Sequence, residues 1–303
     1  MSRLRELGRL LADVGREWSG DRVPRLAAAL AYYALFSLAP LLVITIGVAG
    51  FFFGREAARG EIVAQFSSLI GRPGAEAVQA LLASTGSPGQ GATAALVGLV
   101  TLLIGASGVF GELQDAMNAI WNVRPRPGVG LKAFVRRRFL SFAMVLGSGF
   151  LLLVSLLLSA GLAAAERQLS IVAPTVEVLW STANSLFGLA LPLVLFALIF
   201  RLVPDAEVPW RDAWAGALVT AALFALGRTA IGYYLGRGAI DSTYGAAASL
   251  VAVVLWVYYS AQILFLGAEL TQVLGRRRDH RASSPRPGAQ AVVRTVRPAR
   301  RAS

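Results

Sequence analysis

The stretch ALAYYALFSLAPLL, Ala29 to Leu42, lies inside 29 consecutive residues, Leu26 to Gly54, that carry no charge. A helix rises about 1.5 Å per residue and the hydrocarbon core of a bilayer is about 30 Å thick, so roughly 20 such residues cross it. The run is long enough to span, yet two tyrosines, a serine and a proline stand near its centre. Tyr33, Ser37 and Pro40 follow i, i+4, i+7 spacing and fall on one helical face. Proline lacks an amide hydrogen and its ring displaces the carbonyl four residues earlier, here that of Phe36. The sequence therefore predicts a kink and one carbonyl in need of a donor, with Ser37 or Tyr33 near enough to supply it. Such a face either lines a cavity or seats one helix against another.

The rest of the chain has the same character. Of 303 residues 56% are hydrophobic and 15% charged, and the mean hydropathy is +0.61, a composition typical of multi-spanning membrane proteins. Cysteine is absent and the single histidine, His280, stands in an Arg-rich C-terminal stretch. Disulfides, thiol nucleophiles and histidine-based metal or acid/base sites are thereby excluded from the body of the chain, and no metal or cofactor is expected.

Six segments are apolar enough to span: about 26–53, 92–111, 139–165, 178–200, 213–235 and 243–268. Basic residues test the count, because they concentrate in cytoplasmic loops. Of 29 lysines and arginines, 23 fall in the N-terminal segment, the 112–138 and 201–212 loops and the tail beyond Leu274. Arg55, Arg59, Arg72, Arg167 and Arg237 occupy the alternate loops, and Arg228 stands within the fifth span. The fold class expected is all-α: a polytopic bundle of six transmembrane helices with both termini cytoplasmic. The first apolar run starts too far in and is too long for a cleaved signal, so it reads as a retained span.

Residues 1–25 read as an amphipathic interfacial helix, with Leu4, Leu7, Leu11, Val14 and Trp18 at helical spacing among arginines. It either touches lipid or covers the end of the bundle. Between the first two spans, Ile62, Phe66, Leu69, Val78, Leu81 and Leu82 form short amphipathic patterns broken at Gly71 to Gly74, suited to an external lid or surface helix. Residues 275–303 are expected to be a disordered, Arg-rich cytoplasmic tail touching anionic headgroups. Nucleic-acid binding is disfavoured because no aromatic interleaving accompanies the charge.

Polar groups at membrane depth carry the functional information. The substrate-path candidates are Tyr33, Ser37, Pro40, Asn184, Arg228 and Gln262. Arg228 stands 16 residues after Asp212, roughly 24 Å along a helix, where it either snorkels outward or holds an anionic headgroup. At the cytoplasmic ends, Glu112, Asp115 and Asn118 recur every three residues and Glu269 closes the sixth span before Arg276, Arg277 and Arg278. They read as interfacial hydrogen-bond and ion-pair anchors, with a proton or cation relay as the alternative. Small residues, Gly105, Gly108 and Gly111, then Ala213, Ala217, Ala221 and Ala225, then Gly232 and Gly236, let helices approach closely.

Four motifs, AAALAYYALFSLAPLL, GASGVFGELQDAMNAIWNV, RLVPDAEVPWRDAWAGAL and YGAAASLVAVVLWVYYSAQILFLGAEL, together make the chain resemble the YihY/BrkB family of bacterial inner-membrane proteins, historically labelled ribonuclease BN. The resemblance runs from about Arg22 to Leu274 and implies a six-helix membrane fold in the bacterial inner membrane. It also implies links to serum resistance and envelope lipid export, without a settled substrate. The ribonuclease label is the least favoured reading, because the chain offers one lysine, Lys132, and one tail histidine for proton transfer. The leading expectation is a non-enzymatic protein that moves or helps export a lipid or other amphipathic envelope component. The alternative is a scaffold recruiting envelope or cytoplasmic partners through its tail. Membrane lipids are the expected partners, with a second copy of the chain or an envelope protein as the protein contacts open to it.

Overall fold

The structure is a computed structural model that describes residues 2–54, 56, 59–60, 62–64, 67, 75–80, 108–125, 190, 192–236, 248–278, 285 and 289–291. The described residues are mostly helical. Helix α1 (Ser2–Gly20) is amphipathic, and α2 (Val23–Phe53) follows after a two-residue turn. Arg22 takes a left-handed conformation in that turn, φ 53°, and its carbonyl accepts the amides of Arg25 and Leu26, so the residue that ends one helix begins the next. Pro24, in the first turn of α2, needs no amide donor there. At the other end Gly54, φ 85°, supplies the left-handed stop that glycine allows at least cost.

Helix α3 (108–120) ends on Asn122, also left-handed at φ 52°, and leads into strand β1 (Val123–Pro125). Helix α4 (192–202) is followed by a tight turn and by α5 (Trp210–Gly236). Helix α6 (Ala248–Arg278) is the longest of the later elements, and the 29 residues Leu250–Arg278 are long and apolar enough to cross a membrane. Strand β2 (Ala289–Ala291) pairs antiparallel with β1, Val123 facing Ala291. Pro285 bridges Ala206 in the turn after α4.

One sequence expectation changes here. Helix α6 continues through Arg278, and Ala289–Ala291 add to β1, although disorder is predicted from Gly275 onward. Val123, buried in the core, faces Ala291 across this pair. The 75–80 segment packs on the bundle, with Val78 against Leu42 and Ala77 against Ala252, Val253 and Trp256.

One apolar core joins α2 to α6. Val23, Ala27 and Leu30 of α2 meet Leu113, Met117 and Ile120 of α3, Phe200 of α4, Ala213 and Ala217 of α5 and Leu264, Phe265 and Ala268 of α6. Trp121, Val203, Ala206 and Val208 extend it into the connecting turns. Of the alanine stripe predicted on α5, Ala213, Ala217 and Ala221 are buried and Ala225 is exposed.

Candidate functional site

Helix α6 has two opposite faces, and they are built on different chemistry. On the side toward α5, a Cβ placed on Gly216 would overlap the Thr271 hydroxyl and come within 2.8 Å of the Gly267 carbonyl oxygen. A Cβ on Gly267 would overlap the Thr220 hydroxyl and lie 2.8 Å from the Phe200 ring. Gly227 meets the Tyr259 ring in the same way. The partners run upward on α5 as they run downward on α6, so the two helices are antiparallel and touch backbone to side chain. Each threonine donates its hydroxyl to the carbonyl four residues back, Thr220 to Gly216 at 2.8 Å and Thr271 to Gly267 at 2.7 Å. The pattern GxxxT thus stands on both helices, 216–220 and 267–271, each glycine receiving the threonine of the other helix. Small residues at such spacing allow close approach in a membrane, where packing replaces the hydrophobic effect as the driving force.

The other face carries Gln262, Glu269, Gln272 and Arg276, whose spacing of seven, three and four residues keeps them on one side of the helix. Glu269 is 0% exposed, and neither of its oxygens has a hydrogen-bond partner. The side-chain oxygens of Gln262 and Gln272 are likewise buried without a donor. Glu269 is thus no ion-pair anchor: the three arginines after it go elsewhere, Arg276 to Glu17 at 2.7 Å, Arg277 to Asp13 and Arg278 to Asp212. The reason is the length of α6, which runs two further turns and carries its cations past the carboxyl.

These pairs hold α1 on the end of α6. Asp13 also pairs with Arg16 on its own helix, and its carboxyl is held below the usual range chiefly by the hydrogen bond from Arg277, against the opposing effect of desolvation and with help from the charges of Arg277, Arg16 and Arg276. Val14 is buried at this contact and Trp18 packs against the core, while Leu7 and Leu11, on the same stripe, are exposed. The helix therefore covers the bundle end with its second half only.

Of the polar triplet on α3, the structure buries Asn118, leaves Asp115 exposed and half-buries Glu112. Asn118 clasps the turn after α4, donating to Asp205 Oδ2 at 3.0 Å and accepting the Asp205 amide at 2.8 Å. Nearby, the Arg201 guanidinium lies 4.7 Å from the Trp210 ring centre, and Trp210 stacks on Trp214. Both tryptophans are exposed at the start of α5, in the manner of an aromatic belt at a membrane interface.

On α2, Tyr33 is 41% exposed and its ring lies against Gly108, where a Cβ would approach Cδ1 to 2.9 Å. Two of the sequence motifs thus meet in space. Ser37 is buried, 8% exposed, and donates to the Ala34 carbonyl at 2.9 Å. The expected donation to Phe36 does not occur, because a mid-helix serine reaches back three or four residues to carbonyls already on its own side. Helix α2 continues across Pro40 to Phe53. The side chains of Pro40 and Arg228, and all of Asn184, lie outside the described residues. Tyr32, Tyr33 and Phe36 make an exposed aromatic group, with ring centres 5.7 Å apart for the tyrosines and 4.8 Å for Tyr32 and Phe36. A hollow of about 280 Å³ beyond the end of α2 is lined by Glu56, Arg59, Gly60, Val63 and Gln79, and by none of the expected path residues.

Residues 14–291 match the virulence factor BrkB family. The chain is 33% identical over 277 residues to a UPF0761 membrane protein of Pseudomonas paraeruginosa, covering 88% of this chain and 63% of that one. It is 29% identical over 259 residues to a UPF0761 membrane protein of Ralstonia nicotianae, covering 84% and 56% respectively. The chain thus spans roughly three-fifths of the length of these relatives. No solved structure matches it.

Proposed function

The chain belongs to the virulence factor BrkB family of membrane proteins, and from that premise we propose that it moves, or assists the export of, a lipid or other amphipathic envelope component. On this reading it is a non-enzymatic protein of the bacterial inner membrane, with six spans and both termini in the cytoplasm. The observation that carries the reading is the exposed aromatic face of α2. Tyr33 stands ten residues into that helix, about 15 Å along its axis, and Tyr32 beside it is also exposed. A helix facing lipid at that depth is ordinarily apolar, because each polar group there must find a partner. Two phenols open to the surroundings offer hydrogen bonds to a headgroup passing along the helix while their rings meet its chains.

The 303 residues contain no phosphate-binding P-loop, so movement on this reading draws on a gradient, a partner or downhill flow. Anionic headgroups at the cytoplasmic leaflet suit the arginines of α1, above all Arg5 and Arg9 beside the exposed Leu7 and Leu11. Reconstitution into vesicles containing headgroup-labelled lipids tests the proposal. Transbilayer movement should exceed that of empty vesicles and drop several-fold in a Tyr32→Leu/Tyr33→Leu variant. Intact protein that leaves movement at the empty-vesicle rate sinks it.

A further inference from the structure

Among the described residues, the buried face of α6 carries three side chains, Gln262, Glu269 and Gln272, whose oxygens meet no donor. Both oxygens of Glu269 and the side-chain oxygen of Gln272, one turn on, are enclosed without a donor, and neither residue is appreciably exposed. An ionised carboxylate in such a place forfeits its hydration with nothing to replace it. A protonated carboxyl has the opposite property, since it becomes a donor and Gln272 is the neighbouring acceptor.

Among the described residues, no counter-charge pairs with an ionised form. The charged groups acting on Glu269 are Glu17 on α1 and Arg276 on α6, and these are paired to each other at 2.7 Å. The residues that α2 and α3 bring to the core they share with α6, Val23, Ala27, Leu30, Leu113, Met117 and Ile120, are apolar. Asp21, in the turn between α1 and α2, and Asp212 of α5, which pairs with Arg278, are the other buried acids of this end among the described residues. A metal ion would need several converging oxygen ligands, and among the described residues no group of three acids, histidines or cysteines is present.

We propose that Glu269 is a proton-binding site that governs the docking of α1: protonated, it donates to Gln272 and the α1 clasp stays closed over it; ionised, it draws water into the junction and α1 lifts from α6. No bond other than O–H changes, the proton passing to solvent water as the junction opens. The inference does not depend on the lipid reading, for it concerns what the junction binds and not what the protein carries.

The test uses the full chain in lipid nanodiscs. Infrared spectra across a pH series should show a protonated-carboxyl band at neutral pH that disappears on alkalinisation and is missing from Glu269→Gln. The chain has no cysteine. A single nitroxide at Leu11→Cys then reports α1, and its mobility should rise with the loss of the band in the wild type and stay flat in Glu269→Gln. Should Glu269→Gln fail to fold, Glu17→Gln serves: removal of a negative neighbour should shift both transitions together to lower pH. Three results overturn the proposal: a neutral-pH spectrum identical with and without Glu269, a nitroxide response indifferent to pH, or a response that follows sodium concentration at fixed pH.

Discussion

The two faces of α6 have the same length of helix, the same neighbours in sequence and the same membrane to answer to, yet they solve the problem of buried polarity in opposite ways. Toward α5, Thr220 and Thr271 donate their hydroxyls within their own helices, so the oxygens that lie against the partner's glycines bring no unspent proton to the contact. Ser260 is the exception there, its hydroxyl buried without a partner. On the far side, three acceptor-bearing residues are enclosed without donors. A threonine back-bonded to its own carbonyl fixes two helices permanently; an unsatisfied carboxyl makes its contact depend on conditions. The difference separates the static half of the interface from the half that can respond.

Breaking the static face should have the largest effect. Gly216→Val places a branched side chain against the Gly267 carbonyl, 2.8 Å from the first added carbon, and backbone cannot step aside as a side-chain tip can. The expected loss is about 3 kcal/mol or more, seen as collapse of monodisperse yield and early unfolding in a detergent titration. Glu269→Leu should move in the other direction, leaving stability unchanged or raising it by up to about 2 kcal/mol in the same titration, because it removes an unsatisfied group and adds apolar packing. A destabilisation as large as that of Gly216→Val would mean the two faces are alike.

The hydroxyls at the static face are a finer probe. Thr220→Val and Thr271→Val keep the shape and lose only a bond within the helix, so each should cost less than about 1 kcal/mol. Smallest is the acid response of the α1 clasp, read by hydrogen exchange of residues 2–20. Asp13 is held below the ordinary carboxylate range by Arg277, so its contribution is complete above that range and fades as pH falls through the depressed value. Exchange should quicken under acid, and Asp13→Asn should show that faster exchange already at neutral pH. The effect is modest because the pair is exposed.

Much of this arrangement is written openly in the sequence. The uncharged run from Leu26 to Gly54 gives the end of α2 almost to the residue, since glycine is what a helix needs after its last turn. The heptad-like stripe of α1 is legible for the same reason, although its division into a covered half and an open half depends on where α6 stops. The Gly216 and Gly267 contacts were hidden from a stripe search, because their meaning lies in a register between two helices. The repeated GxxxT would have been the clue. Glu269 looks like a helix-end anchor when three arginines follow it, and only the continued helix shows those cations passing overhead. Ser37 and Phe36 are adjacent in sequence but lie on different sides of the turn, which is why proximity alone named the wrong acceptor.

The small sheet has a consequence in time. Strand β1 leaves the ribosome long before β2, and at ordinary elongation rates the interval is on the order of ten seconds. Throughout that interval Val123, Arg124 and Pro125 wait without the partner that will later cover them. Their pairing with Ala289–Ala291 can begin only after every intervening segment has been made, so it works as a completion signal, closing this end of the bundle last.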